Sequence, residues 1–360
     1  MHHGVLLCFF AISVVLPVQI KARPGELRVR SLSIHSPDHQ SNNQSNHPKL
    51  TCDPCHYEIA LITDNDEKSK SKTNPNLWES KFSKTTLDVK ATNSGNFTVT
   101  VGKLNTVILS SNIDEDGKGM ELSELIYYNG NLLTFDDKTG TVFHIVNDKV
   151  KPWVTLNNCN GSKADGYKSE WATVKNKKLY VGSAGFPWAP SSDETVEPKN
   201  CGPQWIKIIS ETEDVQNVNW KPMYIKIQNA TKCKGYITHE AVMWSEIQNK
   251  WFFAPRKCSL EAFNSSTNHL IGSNILIMTD ENFNKIEVVE VGPTLAGQGF
   301  SSFKFLPHSD DTLIVALKTH EDDKSFRTFI TVFGINGDIY LKDTLISTED
   351  KFEGVEILHN

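Results

Sequence analysis

At 360 residues the chain can bury a large core, and with 38% hydrophobic and 22% charged residues it reads as a globular protein, neither disordered nor membrane-spanning as a whole. A formal net charge of -6 argues against a broad basic face for nucleic acid. Neither a GxxxxGKS/T nor a GxGxxG phosphate loop occurs, so any nucleotide chemistry must use another device.

The chain opens on an uncharged apolar run, Gly4 to Val18, followed by Lys21-Ala22-Arg23-Pro24. The run is shorter than the roughly 20 residues of a membrane span, and 1–22 reads as a secretory signal peptide. Residues 23–50, rich in Ser, Asn, His and Pro, read as a flexible leader, and 51–360 as the folded domain. Asn-x-Ser/Thr sequons at Asn43, Asn96, Asn160, Asn229 and Asn264 agree with secretion. So do six cysteines beyond the signal, an even number suited to disulfides whose pairing the sequence leaves open. Cys52-x-x-Cys55 has no second CxxC or His pair to complete a zinc site.

The first strand is expected at Tyr57 to Ile62, with Asp64 and Asp66 just past its end, followed by a polar loop. Short β-runs and turn signals then alternate from Phe97 to Leu341. Asn129-Gly130 is a type I′ hairpin signal, because both central residues of that turn need positive φ; Asp136-Asp-Lys-Thr-Gly140 and Asn336-Gly337-Asp338 mark further turns. Gly185 to Gly202 reads as a long loop, and no stretch demands a helix. About twenty strands without crossover helices suggest an all-β fold, for which a five-bladed propeller accounts; a six-bladed propeller or a large sandwich is the alternative.

One kind of unit recurs: an acidic or hydroxyl residue beside an apolar strand. It places Glu124, Glu170, Glu240, Ser301 and Glu353 at gaps of 46, 70, 61 and 52 residues. One oxygen ligand per blade, aimed at a central axis, would make a hard-cation site.

The segments that carry these units are Lys118-Gly-Met-Glu-Leu-Ser-Glu-Leu125, Asp136-Asp-Lys-Thr-Gly140, Lys168-Ser-Glu-Trp171, His239-Glu240, Trp251-Phe-Phe-Ala-Pro-Arg256, Gly299-Phe-Ser-Ser-Phe-Lys-Phe305 and Phe352-Glu-Gly-Val-Glu356. In this order they resemble the soluble calcium-activated nucleotidases, a family that includes the salivary apyrases of the bed-bug type. The resemblance runs from about Tyr57 to Leu358 and implies a five-bladed propeller with calcium in its central tunnel. It implies hydrolysis of nucleoside tri- and diphosphates (ATP, ADP, with UDP and GDP as further candidates) to the monophosphate and phosphate. For a salivary protein it further implies suppression of ADP-driven platelet aggregation.

By motif match, Ser123, a backbone or side-chain oxygen of Glu124, Glu170, Glu240, Ser301 and Glu353 are the expected calcium ligands. Asp64 and Asp136 are expected beside the phosphates, with Arg256, Lys304 and Lys318 on phosphate oxygens, since a metal clamp with cationic side chains can replace a phosphate loop. Asp66 or Asp137 is the expected carboxylate for orienting the attacking water. Trp188 and Tyr236 are candidates for stacking on the base. Two departures stand out: Lys118 occupies the place of a usual Arg, which cannot be matched for bidentate contact, and Ala241 follows His239-Glu240 where Ser is common. A non-catalytic secreted propeller that binds small ligands or host proteins is the alternative, and a propeller lactonase or glycosidase a weaker one.

Overall fold

Alternating apolar and polar positions, broken every few residues by turn chemistry, fold this chain into hairpins that stack side by side. The computed structural model describes residues 48, 50–94, 96–187, 201–321 and 325–358, all within the compact unit Asn46–Asn360. The expected signal segment, the leader apart from residues 48 and 50, the sequon at Asn43 and Trp188 lie outside the described residues.

Five antiparallel sheets form. The first contains β1 (Cys55–Thr63), β2 (Trp78–Ala91), β3 (Phe97–Val101) and β4 (Asn105–Ser111). The second runs β5 (Leu122–Tyr128), β6 (Asn131–Asp136), β7 (Thr141–Val146), β8 (Lys149–Thr155), and the third β9 (Trp171–Lys175), β10 (Lys178–Gly182), β11 (Trp205–Ile209), β12 (Val215–Asn219). A helix α1 (Lys221–Ala230) leads to the fourth, β13 (Tyr236–Ser245), β14 (Lys250–Ser259), β15 (Ile275–Asp280), β16 (Ile286–Glu290). The fifth is β17 (Gln298–Phe305), β18 (Leu313–Glu321), β19 (Phe326–Gly334), β20 (Ile339–Ser347). The last strand, β21 (Phe352–Ile357), returns to pair with β1 as the inner strand of the first sheet. The arrangement is a five-bladed β-propeller whose ring is closed by strands from both ends of the folded unit.

Each blade grades from a buried inner strand to a wet outer one. All six residues of β21 are buried, whereas β20 has none buried. Pro152, which cannot donate to a ladder, sits on the outer strand β8. Five apolar clusters fill the interfaces between neighbouring blades. Leu61 and Val355 meet Leu317 between the first and fifth blades, Phe82 meets Leu125 between the first and second, and Phe135 meets Leu179 between the second and third. Trp171 meets Trp251 and Phe252 meets Phe303 in the remaining two. Each fully buried Leu or Phe contributes about 1.5–3 kcal/mol.

The expected I′ turn at Asn129-Gly130 is present, with φ of 48° and 74°. Three disulfides form, Cys52–Cys55, Cys159–Cys201 and Cys233–Cys258. The helix α1 corrects the helix-free expectation: Pro222 occupies its first turn, where the missing N–H costs nothing, and only Tyr224 and Ile227 are buried on its core face. The polar stretch after Asp66 is a 3-10 turn (Asp66–Ser69) and irregular chain, and the strand that follows it, β2, at fourteen residues the longest described, is not among the expected ones.

Candidate active site

The inner strands β5, β9, β13, β17 and β21 ring the tunnel, and four of them are out of register at the residues of interest. On β5 the pairing jumps from Leu122↔Asp136 to Leu125↔Thr134, so Ser123 and Glu124 face one residue of β6. On β13 His239 pairs with Pro255 and Ala241 with Ala254, leaving Glu240 as the extra residue. On β17 the extra residue is Ser301, between Phe300↔Lys318 and Ser302↔Leu317. On β21 it is Glu353, between Phe352↔Thr63 and Gly354↔Ile62. In the remaining blade Glu170 immediately precedes β9 and its amide donates to Gly182 O at 2.8 Å. A bulge takes its extra residue out of the alternating pattern, and in four of the five blades that residue carries a side-chain oxygen.

These residues suit a hard cation. They are carboxylates and hydroxyls, the ligand class of calcium. Ser123 is buried and its Oγ has no hydrogen-bond partner, the condition of a hydroxyl kept for a ligand. Ser301 Oγ donates to Phe352 O at 3.2 Å and keeps its lone pairs. Burial holds the Glu170 carboxyl up to about 8 against Lys168, with Glu240 and Asp137 adding to the rise; burial likewise raises Glu240 and Glu353. Carboxylates packed so that they repel one another are stabilised together by a divalent ion. Glu124 differs from the others. Its Oε1 accepts Leu125 N at 2.8 Å, Ser302 Oγ at 2.9 Å and Lys304 Nζ at 3.1 Å, so that oxygen is held within the protein.

Around the tunnel mouth lies a second layer. Asp64 and Asp66, past the end of β1, are joined by Lys351 Nζ, 2.9 Å from each. Asp66 is 41% exposed, and burial with the Asp64 charge raises it to about 6. Asp137 is buried, with Oδ2 held by Lys168 and Oδ1 without a hydrogen-bond partner; burial raises it. Arg256 Nε lies 3.1 Å from Glu240 and its guanidinium donates to Thr319 O at 2.7 Å.

The comparisons with known proteins can be set beside this geometry. The family model described as Apyrase matches residues 65–358. The chain belongs to the apyrase family. It is 41% identical to an apyrase of Cimex lectularius over 305 residues, 84% of this chain and 82% of that protein. It is 40% identical to an apyrase of Phlebotomus duboscqi, covering 84% and 88%, and 36% identical to soluble calcium-activated nucleotidase 1 of Rattus norvegicus, covering 86% and 76%.

Not every residue that the sequence nominates lies with this group. Asp136 is wholly buried and accepts the amides of Met120, Lys138 and Thr139 at 2.8, 3.1 and 3.3 Å, so it caps the turn that displays Asp137. Lys304 is bonded to Glu124, and Lys318 Nζ lies 3.1 Å from Asp343 on the outer strand β20. Both are buried cations with carboxylate partners inside the blade structure. Tyr236 is buried against Phe186 and Phe263, its hydroxyl donating to Asn268 Oδ1 at 2.7 Å.

Three members of the site were missed by the sequence reading: Glu121, Lys168 and Lys351. Glu121 is 7% exposed, its Oε1 lacks a partner, and burial with neighbouring carboxylates holds it up to about 8. Lys168 lies 3.3 Å from Glu170 and Lys351 3.5 Å from Glu353. A signal for them existed. Lys-x-Glu occurs at 168–170 and again at 351–353, and residues two apart on an extended chain share a side.

Proposed function

We propose that this apyrase-family chain is a secreted, calcium-dependent phosphohydrolase that converts ATP and ADP to the monophosphate and phosphate. The observation that carries the reading is the register break at Ser123-Glu124, Glu240, Ser301 and Glu353, one per inner strand. With Glu170 at the start of β9, these residues would let each of the five blades offer a calcium-type oxygen. Bound calcium supplies charge neutralisation to the phosphate chain. The remaining work is positioning and proton handling.

Asp137 is the carboxylate we assign to the water. Lys168 fixes its Oδ2, which leaves Oδ1 to accept a proton, and burial raises its basicity. Asp66 is the second candidate, half-exposed and fixed through Oδ2 by Lys351. Arg256, Lys168 and Lys351 bring positive charge to the mouth of an otherwise acidic tunnel. Each is already oriented by a carboxylate, so little ordering is left for the substrate to impose.

Three disulfides support an oxidising compartment, and among the described residues no helix is long and apolar enough to cross a membrane. An extracellular enzyme of this kind would remove ADP and so suppress platelet aggregation, as the resemblance to salivary apyrases implies.

The test is phosphate release from ADP, ATP, UDP and GDP by the purified protein, with calcium, with magnesium in its place, and with chelator. Release that needs calcium, and a large loss of kcat in Asp137→Asn with calcium binding retained, are the expected results. Folded, calcium-loaded protein that releases no phosphate from any of the four is not a nucleotidase. Inhibition of ADP-driven platelet aggregation by the active protein, and not by Asp137→Asn, tests the biological role.

A further inference from the structure

Carboxyl groups crowd this end of the propeller. Among the described residues, eight carboxylates interact electrostatically there: Asp64, Asp66, Glu121, Asp137, Glu170, Glu240 and Glu353, with Glu321 at the edge. Four cations face them, Lys168, Lys351, Arg256 and Lys257. Eight carboxyl groups thus stand against four cations, and a nucleoside diphosphate adds negative charge of its own, which a cation entering with it would offset.

The geometry shows where. Asp64, Asp66 and Glu121 each offer an oxygen, and the three atoms lie within 4.8 Å of one another. None of the three belongs to the bulged set on the inner strands. Lys351 takes one oxygen from each aspartate and none from Glu121. Glu121 is 7% exposed and its Oε1 is left with no hydrogen-bond partner, while one of its carboxylate oxygens lies with those of the two aspartates. A buried carboxylate with an oxygen that no donor meets, packed beside two others, is costly to the fold unless something positive binds it. Asp66 is 41% exposed, so this cluster opens to solvent, where a phosphate oxygen and water can complete a coordination shell.

We propose that Asp64, Asp66 and Glu121 form a second divalent-cation site, separate from the tunnel site, whose magnesium or calcium ion binds the phosphate chain of the nucleotide. The proposal rests on the nucleotidase reading above and deepens it: the substrate is the metal chelate of the nucleotide, clamped between two ions. Lys351 then acts as the hinge of the site. Its ammonium ties Asp64 and Asp66 to Glu353, so one buried cation orients ligands of both ions.

The full chain, stripped with chelator, is titrated with calcium by calorimetry and with manganese by electron paramagnetic resonance, alone and with α,β-methylene ADP. Two protein-held ions per chain are expected with the analogue present. Glu121→Gln is expected to keep the tunnel ion and to weaken the second on the order of 10–100-fold, while Glu353→Gln weakens the first. Asp66→Asn repeats the test at an exposed position should Glu121→Gln fold poorly. A single ion in the wild type with the analogue bound overturns the proposal, as do two unweakened ions in both Glu121→Gln and Asp66→Asn. One ion with ADP hydrolysis intact overturns the second site and leaves the nucleotidase standing. No ion and no hydrolysis overturns both.

Discussion

Replacing Lys304 by Met removes a buried ammonium while keeping most of the packing of its stem. Glu124 is 1% exposed, and after the change its Oε1 retains only Ser302 Oγ at 2.9 Å and Leu125 N at 2.8 Å. Breaking a buried pair from one side costs roughly 3–5 kcal/mol, because the remaining charge stays desolvated. Over the about 315 residues of Asn46–Asn360, unfolding entropy near 2.1 cal/mol/K per residue gives about 0.66 kcal/mol/K, and Tm falls by about 5–8 °C.

The sign of the pH dependence follows from Glu124. Burial raises its carboxyl to about 7, with Lys304 opposing. Between its unfolded value and about 7 the folded chain therefore binds the extra proton, and this contribution to stability is lost as pH rises through that window. Without Lys304 the carboxyl rises further, so the deficit of Lys304→Met widens between pH 6 and pH 8.5. A second change, Glu124→Gln, recovers much of the loss. Thermal melts in chelator at both pH values measure these effects, and steady-state assays give KM for ADP, expected within about twofold of wild type because Lys304 is spent on Glu124. A penalty below about 1 kcal/mol at pH 8.5 together with a tenfold rise in KM would refute the reasoning and return Lys304 to the substrate.

Ser123→Ala removes a buried hydroxyl that has no partner, so calcium-free protein is expected to melt at the same temperature or slightly higher. Its calcium affinity, read by calorimetry, falls on the order of tenfold; equal affinity would take Ser123 out of the ligand set. Burial and neighbouring carboxylates hold Glu121 and Glu170 up to about 8, so calcium-free protein loses stability as pH rises from their ordinary range through about 8. Saturating calcium should abolish that slope in melts taken between pH 5.5 and 8.5 and should release protons on binding. Cys201→Ser opens the 42-residue separation closed by Cys159–Cys201, and the chain-entropy relation puts the loss at about 4 kcal/mol, measurable by denaturant titration.

What the sequence disclosed followed from chemistry that repeats. The oxygen-bearing residues recur once per blade, at or just before its inner strand, and a loose period of that kind survives variable loops. Asn129-Gly130 was legible because Gly tolerates positive φ without cost. The turns at Asn147-Asp148 and Asn176-Lys177 also have both φ positive, from 50° to 60°, yet carry no glycine to announce them. β2 hid behind its Lys and Ser residues, although Trp78, Ser80 and Phe82 alternate into the core. The site was less legible where identity alone had to separate roles. Asp136 and Asp137 are adjacent and alike, and only the turn geometry makes one a cap and the other a displayed carboxylate. Lys304 and Lys351 are both buried cations. Which carboxylate each meets depends on strands far apart in sequence: Lys304 reaches from β17 to Glu124 on β5, 180 residues away.

The strand that closes the ring also carries Glu353. Gly354 beside it has no room for a side chain, since a Cβ there would lie 2.7 Å from the Glu124 carbonyl carbon. During synthesis the second to fifth blades can pair their own hairpins before β21 has been made, but the proposed ion site lacks Glu353 until that strand docks. On that proposal an open ring offers calcium no complete set of ligands. Where the ion is abundant it favours the closed state by mass action. For a chain exported as proposed above, calcium supplied along the route would act as the latch on the last step of folding.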